Sequence, residues 1–201
     1  MKNRTNIRWL TQLALLVAIL LVLNYTPLGY LQIGPLSASL LTVPVAIGAM
    51  TMGPTAGAIL GGVFGATSFI QALEGKSAMG SALFQVSPFG TFVVCFVARV
   101  LVGLCAGLIF KALCKALPKK EKLCCFLGGL AAPVLNTAFF MGFLVLIFYN
   151  CEYVQNLAGT LGATNAFMFI VLLVGVQGVA EFLVSGILGG IVARAVHKFL
   201  K

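Results

Sequence analysis

Four polar side chains interrupt long apolar runs in this sequence. They are Arg99, Asn136, Gln177 and Glu181. A charged side chain at the centre of a bilayer costs at least about 2.5 kcal/mol on insertion scales, so such a residue normally faces a bundle interior and has a partner. A guanidinium with two carboxamides suits recognition of an anionic or amide-bearing solute. If the runs cross a membrane, these residues are therefore the candidate binding site.

Arg99, Asn136 and Gln177 each lie about a dozen residues from the predicted outer end of their span, which suggests a common depth. Gln177 and Glu181 are four residues apart, hence on one helix face, and Glu181 lies about one turn deeper. An ion pair between Arg99 and Glu181 is geometrically reasonable. Two interpretations stay open: the pair neutralises itself and joins two helices, or Arg99 and the polar groups above the pair contact a solute. Asn136 likewise either hydrogen-bonds across helices or binds ligand.

The composition requires a membrane environment. Of 201 residues, 61% are hydrophobic and 8% are charged, whereas soluble globular domains carry about a quarter charged residues. A helix needs roughly 20 apolar residues to cross the hydrocarbon, and its backbone must be satisfied internally. The sequence predicts a single all-α domain, an integral membrane bundle of six transmembrane helices. The predicted spans are 7–26, 37–52, 55–73, 88–117, 123–149 and 164–196.

The net charge of +9 reflects topology. The basic residues cluster at the ends of apolar runs and are not interleaved with stacking aromatic residues, so no nucleic-acid partner is predicted. Lys2, Arg4 and Arg8 precede the first span, and five lysines accompany the end of the fourth, between positions 111 and 122. The positive-inside rule places both regions in the cytoplasm. Both termini are therefore predicted to be cytoplasmic, in a multi-pass protein of the plasma membrane.

Three further segments have features that bear on function. Between the first two spans, Tyr30 and Gln32 lie among glycines and prolines, in a loop expected to fold back over an outward-facing cavity. In the third span, the small residues Gly57, Gly61 and Gly65 predict close helix contact, with a backbone that lines the substrate path as the lesser alternative. In the first span, Ala14 and Ala18 share one helix face, which either receives a helix of another protein or packs within the chain.

No enzyme motif is present. The sequence contains no HExxH, no GxSxG and no Walker A motif, so neither a catalytic residue nor a metal site is predicted. It also shows no nucleotide site or acidic relay that would make it a pump by itself. A partner is expected to supply the energy.

Several short motifs, in their order and spacing over nearly the whole chain, resemble the substrate-binding S components of energy-coupling factor (ECF) vitamin transporters. They are Ala14-Leu-Leu-Val-Ala18, Thr26-Pro-Leu-Gly29 with Ile33-Gly-Pro35, Gly53-Pro-Thr-Ala-Gly57 through Gly65, Ser87-Pro-Phe89 and Ala98-Arg-Val-Leu-Val-Gly103. The resemblance implies that Ala14 and Ala18 dock on a transmembrane coupling subunit. Two cytoplasmic ATPases drive that subunit, so ATP is used by the partners and this chain needs no cofactor.

The resemblance also implies a ligand. In similar proteins the first outer loop, here with Tyr30 and Gln32, closes over a vitamin held by the outer halves of helices four to six. The whole component is thought to topple in the membrane to deliver it. Pantothenate is the best match, because its carboxylate and amide suit Arg99, Asn136 and Gln177. Folate or another vitamin, a membrane scaffold without ligand, and a membrane enzyme with an unrecognised site remain the alternatives.

Overall fold

The computed structural model describes residues 2–26, 29–33, 36–118 and 121–175. This part of the chain consists of helices and one two-stranded antiparallel hairpin. In order the elements are α1 (Lys2–Tyr25), β1 (Tyr30–Ile33), β2 (Leu36–Ser39), α2 (Thr42–Met52), α3 (Pro54–Leu73), α4 (Ala78–Val86), α5 (Pro88–Phe92), a π-helical segment (Val93–Val97), α6 (Ala98–Ala116), α7 (Glu121–Phe148), α8 (Glu152–Thr160) and α9 (Ala166–Gly175).

Within the described residues, four helices are long and apolar enough to cross a membrane. They are Ile7–Tyr25, Pro54–Leu73, Pro88–Ala116 and Leu123–Phe148. The third of them is the continuous run of α5, the π-helical segment and α6. Of the predicted sixth span, 164–196, the residues after 175 lie outside the described part of the chain. The count of six spans and the cytoplasmic placement of both termini therefore stay predictions.

The predicted second span, 37–52, differs from the structure in its first residues. Leu36–Ser39 forms β2 and α2 starts at Thr42, whose hydroxyl donates to the Ser39 carbonyl oxygen at 3.1 Å. With 11 residues, α2 is about 16 Å long, roughly half the thickness of the hydrocarbon layer. It is almost wholly buried against α1, α3, α6 and α7. The hairpin is the departure from the all-α prediction among the described elements.

A single glycine joins α2 to α3. Gly53 has φ +95°, in the left-handed region that favours glycine, and Pro54 starts α3 at a position where its missing N–H costs nothing. The break expected between the predicted spans 37–52 and 55–73 is found here, at Gly53 and Pro54. The short connection holds α2 and α3 side by side.

The glycine stripe of α3 lies directly against the helix Pro88–Ala116. A Cβ atom on Gly57 would overlap the carbonyl oxygen of Gly103, and one on Gly61 would overlap the carbonyl oxygen of Arg99. A Cβ on Gly65 would also meet the backbone of this helix, at Phe96 and Cys95. The close contact that this stripe predicted is confirmed. Because backbone meets backbone here, α3 fixes the position of Arg99 along the bundle.

This contact makes Gly103 intolerant of a side chain. Gly103→Ala would place its Cβ on the Gly57 carbonyl, and neither backbone can yield without separating the helices. Overpacking of this kind costs about 1–3 kcal/mol. We expect a thermal unfolding midpoint several degrees lower in detergent. Gly142→Ala on α7 is the control, because its Cβ would meet nothing within 4 Å; equal midpoints for the two variants would contradict the packing.

Apolar clusters lie on both sides of Arg99. One cluster joins α2, α6 and α7 and contains Met50, Phe110 and Cys124. A second cluster joins α4, the π-helical segment, α7, α8 and α9, with Val94 on the same helix as Arg99. A third cluster packs α1 against α2 and α3. Arg99 is thus enclosed between apolar layers in the middle of the bundle.

Candidate functional site

Arg99 is a buried cation in the first turn of α6. Its side chain is 8% exposed, and its Nη1 donates to the carbonyl oxygen of Val94 at 2.5 Å. The guanidinium carbon lies 4.4 Å from the ring centre of Phe140 on α7 and 5.4 Å from that of Phe64 on α3. The predicted inward placement of Arg99 is therefore what the structure shows.

The helix is irregular immediately before Arg99. The N–H of Ala98 bonds to the carbonyl oxygen of Val93, five residues earlier, in a π-helical turn. Such turns are rare and occur frequently at functional sites. Here the turn is followed by an arginine whose side chain reaches back to the Val94 carbonyl. The orientation of the guanidinium is thus set by a local departure from α-helical geometry.

The Val94 carbonyl and the two phenylalanine rings that contact Arg99 are neutral groups. An arginine over an aromatic face gains about 0.5–2 kcal/mol, and a carbonyl oxygen accepts one of its five N–H groups. These interactions hold the guanidinium in place and leave its charge intact. Charged residues within membrane helices normally pair with one another or with backbone carbonyls, and the Val94 carbonyl is such a partner for Arg99.

Asn136 faces the same region from α7. It is 8% exposed and lies one turn before Phe140, so the two residues share a face of that helix. Pro133 lies three residues earlier inside α7, where it removes a backbone donor. The structure therefore brings Asn136 and the ring over Arg99 to one face of α7, although the spacing of Arg99 and Asn136 in sequence indicates only a common depth.

The remaining predicted solute residues are less fully described. Gln177 and Glu181 lie outside the described residues, so the Arg99–Glu181 pair stays a prediction. Tyr30 and Gln32 belong to β1, where their backbones pair with Ser39 and Ser37. The segment predicted as the first outer loop thus contains two paired antiparallel strands.

Ala14 and Ala18 lie on an open face of α1. Both are exposed, whereas Leu13 and Leu20 on the opposite side pack against α2 and α3. Within the described part of the chain, no element therefore packs over the alanine pair, and the choice between the two interpretations stays open. The face presents small side chains to the membrane and stays a candidate for docking.

A polar contact that the sequence patterns did not predict joins α1 and α3 near their C-terminal ends. Gln71 Nε2 donates to Asn24 Oδ1 at 3.1 Å and to the Asn24 carbonyl oxygen at 3.4 Å. Part of the signal was present in the sequence, because both carboxamides stand near the same predicted side of apolar runs, although nothing in their spacing pairs them. The rings of Phe64 and Phe140 gave no such signal, since phenylalanine is common throughout these helices.

An exposed ion pair lies just after the C-terminal end of α3. Lys76 Nζ lies 2.6 Å from Glu74 Oε2. The hydrogen bond to Glu74, and then its negative charge, raise the pKa of Lys76, so the lysine stays protonated and paired at neutral pH. Among the described residues, no three His, Cys, Asp or Glu side chains cluster as metal ligands.

Comparison with known proteins agrees with this arrangement. Residues 8–193 match the family described as ECF transporter, substrate-specific component. The chain is also 33% identical over 141 residues to the pantothenate transporter PanT of Leuconostoc mesenteroides subsp. mesenteroides, an alignment that covers 67% of this chain and 66% of PanT. The chain thus spans just under two thirds of that relative's length.

The family match extends over nearly the whole chain and includes the helices that carry Ala14, Arg99 and Asn136. The four long apolar helices agree with a transporter component embedded in lipid. This multi-pass protein of the bacterial cell membrane belongs to the family of ECF transporter substrate-specific components.

Proposed function

We propose that this chain binds pantothenate from the outer side of the membrane as the S component of an ECF transporter. A separate transmembrane coupling subunit and two cytoplasmic ATPases drive uptake, so ATP is used by the partners and the chain itself is not an enzyme. The observation that carries the proposal is a buried, preoriented arginine in a chain similar to a protein named as a pantothenate transporter.

The chemistry of pantothenate fits the polar groups of the bundle. At neutral pH it is an anion with a carboxylate at one end, an amide in the middle and two hydroxyls at the other end. A guanidinium binds a carboxylate through two parallel hydrogen bonds, which gives geometric selectivity as well as energy. In this proposal Arg99 binds the carboxylate, and Asn136 and Gln177 bind the amide.

Two other parts of the proposed site control access and charge. The hairpin Tyr30–Ser39, whose neck is closed by the Leu40 N–H donating to the Gly29 carbonyl at 3.0 Å, would cover the bound solute with Tyr30 and Gln32. Glu181, carried on the predicted sixth helix, would balance Arg99 when no solute is bound. Binding then exchanges one carboxylate partner for another, which avoids leaving a charge uncompensated in the bundle.

The proposed partner contact is the face of α1 that contains Ala14 and Ala18. In lipid, helix association depends on close van der Waals packing, which small side chains permit. The face is exposed, and it adjoins large exposed side chains such as Leu15, which is 61% exposed. A helix of the coupling subunit can therefore approach the α1 backbone closely there.

A vitamin screen on the purified chain tests the ligand. Ligand that binds the folded state raises the unfolding temperature in proportion to the logarithm of its concentration above the Kd. Pantothenate is expected to raise it, and riboflavin, thiamine and biotin are not. A shift with folate in place of pantothenate would identify the alternative vitamin, and no shift with any vitamin would favour the scaffold alternative.

Asn136→Ala is expected to weaken pantothenate binding about tenfold or more, because losing a buried hydrogen-bond partner costs about 1–3 kcal/mol. The helix should persist, since alanine is the best helix former. Calorimetric titration of the purified protein measures the effect. Asn156→Ala is the matched control, as Asn156 is exposed on α8. An unchanged Kd for Asn136→Ala would remove this residue from the site.

A further inference from the structure

Asn24 is a buried carboxamide with a defined orientation. It is 5% exposed and lies at the outer end of α1. Gln71 Nε2 donates both to its Oδ1 and to its backbone oxygen. Because Gln71 presents a donor to both atoms, the oxygen of the Asn24 amide must face it, and Nδ2 points the other way.

The Nδ2 group of Asn24 has no hydrogen-bond acceptor among the described residues. An amide donor that is buried without an acceptor costs about 1–3 kcal/mol, so a native structure retains one where something else binds it. Asn24 lies next to the base of the hairpin: Gly29 packs against the Leu23 carbonyl, and its own carbonyl accepts the Leu40 N–H that closes the hairpin neck. The donor is therefore buried at the base of the loop proposed to cover the solute.

The distance along α3 relates this donor to Arg99. Phe64, which contacts Arg99, and Gln71, which holds Asn24, are seven residues apart and so lie on one face of the helix. Seven residues correspond to about 10 Å along the helix axis. A cation and an amide donor are thus placed at two levels of the bundle, one deep and one near the outer surface.

We propose that Asn24 Nδ2 donates a hydrogen bond to an oxygen at the outer end of the bound solute, with Gln71 as the positioning residue. This inference rests on the proposed function. The solute that fits is elongated, with an anionic group at the Arg99 level and a hydroxyl or carbonyl oxygen at the Asn24 level. Pantothenate has this form, with its carboxylate and its hydroxyls at opposite ends of an extended chain.

The variant Asn24→Asp tests the Nδ2 donor separately from the hydrogen bond with Gln71. The carboxylate keeps an acceptor for Gln71 but removes Nδ2, so the Kd for pantothenate in the purified full chain is expected to rise at least about tenfold. For dideoxypantothenate, which lacks both hydroxyls, wild type and variant should bind equally. A general structural defect would instead weaken both ligands alike. Thr51→Val, which removes an intrahelical hydrogen bond at the end of α2 remote from the hairpin, should leave both Kd values unchanged.

A double variant keeps the test valid if Asn24→Asp fails to fold. Asn24→Leu with Gln71→Leu removes both the Gln71 donor and the Asn24 acceptor of their shared hydrogen bond, so neither is left unpaired. This double variant is expected to unfold at a temperature no lower than wild type. Because it also lacks Nδ2, its affinity for pantothenate is expected to fall at least about tenfold. Wild-type affinity in either folded variant, or equal losses for pantothenate and dideoxypantothenate, would overturn the inference and leave the proposed function standing. A wild-type chain that does not bind pantothenate would overturn both.

Discussion

Arg99→Ala is expected to abolish measurable pantothenate binding, and Arg99→Lys to weaken it at least about 30-fold. Removing one partner of a buried, hydrogen-bonded charge pair costs about 2–5 kcal/mol. Lysine keeps the charge but loses the planar fork that binds a carboxylate and stacks on aromatic rings. It therefore cannot reproduce both the bond to Val94 and the contact with Phe140. Calorimetric titration gives the two Kd values.

The same experiment distinguishes two roles of Arg99: binding the solute, or joining two helices through an ion pair with Glu181. If Arg99 serves only to pair with Glu181, Arg99→Ala lowers the unfolding temperature and leaves the Kd of the remaining folded protein unchanged. That outcome would remove Arg99 from the solute site. Arg8→Ala serves as the control, because Arg8 is an exposed basic residue near the start of α1 and is predicted to face the cytoplasm. Its Kd should equal that of wild type.

Ala14→Trp and Ala18→Trp are expected to stop pantothenate uptake while the isolated chain still binds pantothenate with wild-type affinity. Both alanines are exposed on α1, so a large ring is accommodated in lipid without disturbing the bundle. The same ring prevents close approach of a partner helix, on which association in membranes depends. Uptake by the chain together with its coupling subunit and ATPases, compared with calorimetry on the chain alone, measures both effects.

Leu146→Trp is the matched control for the alanine variants. Leu146 is 81% exposed on α7, and a tryptophan there enlarges a side chain at a lipid-facing position away from α1. Uptake should be unaffected. Full uptake by Ala14→Trp and Ala18→Trp would show that the coupling subunit docks elsewhere, and loss of binding in the isolated variants would show that this face supports the fold.

Much of the helical framework was readable from the sequence because its determinants are local. The glycine stripe Gly57, Gly61 and Gly65 predicted a backbone contact that the structure contains. Pro88 in the first turn of its helix, with Ser87 accepting from the Gly90 N–H at 3.2 Å, also follows local rules. In each case residues close in sequence determine the backbone conformation.

Two parts of the fold could not be predicted from the sequence, and the reason is physical in each case. Hydropathy treats Ser37, Ala38 and Ser39 as a possible helix start, whereas the hairpin pairs them with residues across a turn. The nine-residue helices α4 and α8 are too short to give a membrane signal, and each buries few residues. Their positions depend on the apolar cluster that contains Val94, which forms only when distant segments meet.

In the candidate site, too, the sequence predicted some features and not others. The sequence identified Arg99 and Asn136 as buried polar groups, because burial of a charge or amide in apolar runs is costly and therefore informative. The rings around Arg99 and the link between Asn24 and Gln71 depend on contacts between separate helices. Such contacts follow from the packing of the bundle and are not encoded in the spacing of the residues.

Uptake of radiolabelled pantothenate into proteoliposomes tests most directly whether this chain binds the solute while another polypeptide supplies the energy. The chain is reconstituted with and without its coupling subunit and ATPases, and ATP is placed on the side of the ATPases. Accumulation is expected only when the chain, the coupling module and ATP are all present, and Arg99→Ala should abolish it. Equal accumulation without the chain, or by the chain alone without ATP and partners, would contradict the account.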